Sequence, residues 1–90
     1  MKLKTVLMTA DGTVKEVKPS GRHWTLKEHQ KLVGGPVEPL WLMTPDGTPA
    51  VMLVHEEGEI RSLPVNETAS RLAGQKIVGT VLVGPRTLLH

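Results

Sequence analysis

The chain contains no cysteine, no phenylalanine and no tyrosine. Without cysteine, disulfides, thiolate metal sites and thiol catalysis are all excluded. Small secreted domains ordinarily depend on such staples, so the sequence points to a reducing, cytoplasmic setting. Trp24 and Trp41 are the only aromatics. The core must therefore come from Val, Leu, Ile and Met, whose β-branched members favour strands. Long apolar runs are missing too. Val51–Val54 and Val81–Val83 fall far short of a membrane span, and Met1-Lys2-Leu3-Lys4 is too polar to lead into a signal peptide. No membrane association is expected.

What remains is a mildly basic chain of 90 residues with a net charge of +2. That length is one domain's worth, so a single domain is expected over 1–90, with 85–90 as a flexible tail. The charge is uneven. Residues 1–31 hold seven basic residues against three acids, whereas the remainder holds four against six. This asymmetry is the one compositional hint of an anionic partner.

Turn signals recur about every ten residues, the rhythm of short strands, and no internal repeat stands out. Lys2–Thr9 alternates and reads as a strand. Ala10-Asp11-Gly12-Thr13 is a hairpin signal, because Gly supplies the positive φ of a tight turn, and Thr13–Lys18 returns. Thr25-Leu26-Lys27-Glu28 fits a capping box that opens a two-turn helix, which Gly34 closes and Gly35-Pro36 prevents from continuing. Val37–Met43 is a third strand, and Pro39 within it indicates an edge or a strand that begins after it. After Thr44-Pro45-Asp46-Gly47, Pro49–His55 is apolar enough for burial on both faces. A short strand is expected at Glu59–Leu63. Asn66 then caps a second helix, Glu67–Ala73, and Lys76–Val83 is a central last strand. The expected class is α+β. It is a mostly antiparallel sheet of five to six short strands with two short helices, in the order β-β-α-β-β-β-α-β, with the helices on one face.

Four stretches together resemble a known family. They are Gln30-Lys31-Leu32-Val33-Gly34-Gly35-Pro36-Val37-Glu38, His55-Glu56-Glu57-Gly58, Leu63-Pro64-Val65-Asn66 and Ile77-Val78-Gly79-Thr80. In their order and spacing they are similar to a family of small uncharacterised proteins of phages, plasmids and some bacterial genomes, a domain of unknown function. That family commonly has Asn in place of His55 and a basic residue in place of Glu67. The resemblance implies an α+β fold and a mobile-element origin, and carries no reaction, cofactor or ligand with it.

The residues themselves offer no catalytic constellation. Gly34-Gly35 closes a helix instead of opening one, the wrong direction for a phosphate loop. Ser20, Ser62 and Ser70 sit in no nucleophile elbow. His23 and His29 lack the spacing of a standard metal pair, and the expectation is a partly exposed His29 with His23 in a loop. His55, Glu56 and Glu57 form the most functional-looking cluster and are candidates for a small-molecule or metal site, although neighbours on a strand point to opposite faces. Lys2, Lys4, Lys27 and Lys31 are candidates for a nucleic-acid patch. Trp24, which precedes a helix cap, is expected to staple the helix entry, and Trp41 to be core.

The leading expectation is a non-enzymatic binding module without a cofactor, acting on a protein partner. Its binding candidates are Trp24, Pro36, Glu38, His55, Glu56 and Glu57. Pairing of two copies through an exposed edge strand is a further expectation.

Overall fold

The computed structural model describes residues 3–89. Five strands form one antiparallel sheet: β1 (Val6–Met8), β2 (Val14–Glu16), β3 (Val37–Met43), β4 (Pro49–His55) and β5 (Val81–Gly84), in the order β2-β1-β5-β4-β3. Helix α1 (Leu26–Val33) joins β2 to β3, and helix α2 (Glu67–Ala73) joins β4 to β5. The α+β class and the antiparallel sheet are as the sequence predicts.

Alternation along the central strands builds two cores. Leu7, Val51, Leu53 and Leu82 point to one face, where they pack with Trp24 and with Leu32 and Val33 of α1. Met8, Met52, Val81 and Val83 point to the other and pack with Ala69, Leu72 and Ala73 of α2. The two helices therefore lie on opposite faces of the sheet, not on one face as the sequence suggested. The apolar residues of β4 and β5 are continuous, with no polar side chain in Val51–Leu53 or Val81–Val83. A sheet buried on both sides needs cover on both sides.

Both helix caps form as read. Thr25 Oγ1 accepts from the Glu28 N–H, and Glu28 reaches back to the Thr25 N–H at 3.0 Å. The Glu28 carboxylate also accepts from the backbone N–H and hydroxyl of Ser20. The Ser20 N–H is the main cause of its lowered pKa.

Three expectations are corrected. Glu59–Leu63 is a series of turns, with Arg61 N–H donating to Glu57 O and Leu63 N–H to Gly58 O. Residues 86–89 are not a free tail but a 3-10 turn, Arg86–Leu89, whose Leu88 is buried among Val33, Val51, Leu53 and Leu82. Trp41 is not core. It is 52% exposed on β3, with the Arg86 guanidinium 5.5 Å from its ring centre. Edge position explains this, since β3 is the outermost strand and has a neighbour on one side alone among the described residues.

The expectation of no internal repeat is corrected as well, because the two hairpin turns share a short one. Leu7-Met8-Thr9-Ala10-Asp11-Gly12-Thr13 and Leu42-Met43-Thr44-Pro45-Asp46-Gly47-Thr48 differ at one position. They fold alike: the glycine N–H donates to the first threonine's carbonyl, and the aspartate accepts from the hydroxyl of that threonine and from the backbone N–H of the last. The glycines sit at φ +94° and +87°, the left-handed position of a three-residue hairpin loop. The hydroxyls of Thr9 and Thr44 are the largest cause of the lowered pKa of Asp11 and Asp46 respectively.

Candidate functional site: the groove beside β3

Val37, the first residue of β3, pairs directly with His55, the last of β4. This pairing sets the loop that leaves α1 beside the turn that leaves β4, and the Glu56 N–H donates to the Pro36 carbonyl at 2.8 Å. The approach to β5 closes the same end of the sheet. Val65 bridges Val78, Asn66 N–H donates to Ile77 O, and Gly79 N–H donates to Pro64 O. Four stretches far apart in sequence thus meet around one histidine.

His55 is held by both chain neighbours and space. Its Nδ1 accepts from the Glu57 N–H at 3.0 Å, which leaves Nε2 as the donor of the neutral ring. The ring lies so close to Gly35 that a Cβ there would stand 2.4 Å from Nε2. Gly35 is required by this approach and not by its own backbone conformation. Asn66 is the second anchor and is fully buried. Its Nδ2 donates to Met8 O at 3.0 Å and to Gly79 O at 2.9 Å, while its Oδ1 accepts from the Ala69 N–H. The cap was legible in the sequence. The tie to β1, 58 residues away, had no local signal.

On the α2 side of this junction lies an open groove of about 280 Å³. Leu40, Val54 and Ile77 supply apolar lining, and Glu38, Glu56 and Glu59 line it with carboxylates. Lys76, another lining residue, sits 4.0 Å from Glu59, an exposed pair of small energetic weight. None of the lining side chains carries a hydroxyl or thiol, so the groove holds no serine, threonine or cysteine nucleophile.

Of the residues singled out from sequence, Glu38, His55 and Glu56 are brought together here. Pro36 contributes its carbonyl to the junction. Glu57 turns away to pair with Arg61 at 2.9 Å. Trp24 is elsewhere, in a separate cavity with Pro19, Arg22, His23 and Thr87. There its ring lies 5.8 Å from that of His29. His29 was expected to be partly exposed and is instead 4% exposed, with Nε2 lacking a hydrogen-bond partner among the described residues. Burial holds its pKa below the ordinary value, against the opposing pull of a hydrogen bond to the Leu88 backbone and the Glu28 charge. Among the described residues no group of three His, Cys, Asp or Glu is placed to hold a metal ion.

The basic residues do not share one face. Lys2 lies outside the described residues. Lys4 pairs with Glu16 at 3.7 Å. Glu16 stands opposite Val6, which packs on the α2 side. Lys27 and Lys31 ride on α1, across the sheet.

The family described as domain of unknown function (DUF3846) matches residues 1–86. The chain belongs to that family. No curated protein matches it, and no solved structure does. What the DUF3846 domain offers a ligand must be read from its own surface. No helix among the described residues is long and apolar enough to cross a membrane.

Proposed function

We propose that this DUF3846 domain is a non-enzymatic protein-binding module of a mobile genetic element, acting in the cytoplasm, with the groove beside β3 as its recognition surface. One observation carries the reading: Glu38 of β3, His55 at the end of β4 and Glu56 in the turn that follows line a single groove with an apolar lining and a carboxylate rim. A chain whose net charge is +2 thus presents a locally acidic, partly apolar surface, which favours a basic and partly apolar partner over a nucleic-acid backbone. The mobile-element origin rests on the family resemblance, and the cytoplasmic setting on a sequence without cysteine.

The test is affinity capture with the tagged domain from a lysate of the encoding organism or its host, with and without nuclease. Wild type and the double variant Glu38→Lys/Glu56→Lys are compared. Both residues are exposed, so the variant should fold. The expected result is a partner retained after nuclease treatment and lost with the variant. Recovery that depends on intact nucleic acid, or is indifferent to the variant, would contradict the reading.

A further inference from the structure

β3 is the last strand of the sheet beside β4, and its outer edge is unpaired among the described residues. Two hydrogen bonds fix which residues face which way. Glu56 N–H donates to Pro36 O at one end of the β3–β4 pair, and Thr44 N–H donates to Thr48 O at the other. Residues alternate between bonding the neighbour strand and pointing away from it. Glu38, Leu40 and Leu42 therefore bond β4. Val37, Trp41 and Met43 turn both N–H and C=O outward, and Pro39 turns out a C=O alone. The proline thus costs the β3–β4 ladder nothing.

The side chains along this edge divide by chemistry. Pro39, Trp41 and Met43 stand opposite Leu53, Val51 and Pro49, on the α1 side, where Trp41 and Met43 are 52% and 62% exposed. Glu38 lies on the α2 side, where it lines the groove with Glu56 and Glu59.

Resting on the protein-binding reading above, we propose that the free edge of β3 takes up an extended segment of a partner protein as a sixth strand. That segment carries basic side chains toward Glu38 and Glu56 and apolar ones toward Trp41 and Met43. Main-chain bonds supply affinity in such strand addition, and alternate side chains supply specificity. A second copy of this chain is the poorer occupant. An antiparallel pair of β3 edges spanning the strand sets both copies of Pro39 at bonding positions and loses two donors, whereas a foreign strand loses one. The carboxylates also select a basic segment, because opposite charges across a strand pair attract.

The probe is a displayed library of random ten-residue peptides, panned against the full chain and counter-selected against Glu38→Lys/Glu56→Lys. The expected winners alternate Lys or Arg with apolar residues. A synthetic winner should slow amide exchange at Trp41 and Met43 by about tenfold or more, leaving Leu40 and Leu42 as they were. N-methylating its backbone at alternate positions should weaken binding about tenfold in one phase and little in the other, the effect of losing one or two main-chain bonds. A winner that is charge-sensitive but leaves Trp41 and Met43 unprotected would refute strand addition while the protein-binding reading stands. No enrichment over the charge-reversed variant would overturn both. Amides of Trp41 and Met43 already protected without peptide, together with a dimer in sedimentation, would replace the foreign strand with a second copy.

Discussion

Replacing Asn66 removes three buried hydrogen bonds at once, because its side chain caps α2 and also donates to the carbonyls of Met8 and Gly79. Loss of the cap in Asn66→Ala costs about 1 kcal/mol. Each buried carbonyl deprived of its donor adds about 1 kcal/mol or more. The total of about 3–4 kcal/mol is a large part of the roughly 5–10 kcal/mol that a domain of this size has in hand. At about 4–8 °C per kcal/mol, Tm should fall by about 15–30 °C. Asn66→Asp is the sharper test. It keeps the cap acceptor but turns a carboxylate oxygen toward two carbonyl oxygens, so the folded state raises its pKa. Between the unfolded and folded pKa the native state then holds more protons than the unfolded state, and stability falls as pH rises through that window. Urea melts from pH 4 to pH 8 should show Asn66→Asp closest to wild type at the acid end and falling steadily behind above it. A loss in Asn66→Ala no larger than a cap, or an Asn66→Asp deficit independent of pH, would refute this account of the junction.

Three further outcomes are expected. Gly35→Ala drives a Cβ into His55 and should destabilise by about 1–3 kcal/mol. Much of that should return in Gly35→Ala/His55→Ala, a non-additivity measured by urea melts. His29 has a folded pKa below its ordinary 6.5, so the unfolded state binds its proton first, and stability present above that pH is lost as pH falls below it; His29→Phe should flatten the decline in Tm between pH 7 and pH 5. The lowered pKa of Glu28, set first by the Ser20 N–H, gives stability that is present above its ordinary 4.5 and lost as pH falls through the folded value, so Glu28→Gln should remove part of the acid limb in circular-dichroism melts.

Much of the fold was legible because the local signals agreed with one another. The capping box at Thr25, the Asn66 cap and the glycines after each helix give the helix limits. Pro39 marks β3 as an edge or as a strand beginning after it, and the edge reading holds for the reason now visible: the proline's missing N–H points outward. The errors come from quantities a local reading does not contain. Which face each helix covers depends on connections across the whole sheet. The exposure of Trp41 depends on β3 being the last strand of the sheet, and the burial of His29 on Leu88 returning from the far end of the chain. The turns at 59–63 replace a strand because that stretch folds back on Glu57 and Gly58 instead of pairing with the sheet. Of the candidate site, Glu38, His55 and Glu56 were identified singly. Their convergence is a product of the Val37–His55 register, and no spacing in the sequence reports it.

The most direct test of the binding claim is amide chemical-shift mapping of the isotope-labelled domain, titrated with the captured partner or its interacting segment. The account predicts perturbations at Glu38, Leu40, His55, Glu56 and residues 75–78, extending along β3 to Trp41 and Met43. Shifts confined to α1 around Lys27 and Lys31, or to the Trp24 cavity, would contradict it and move the binding surface to the opposite face of the sheet.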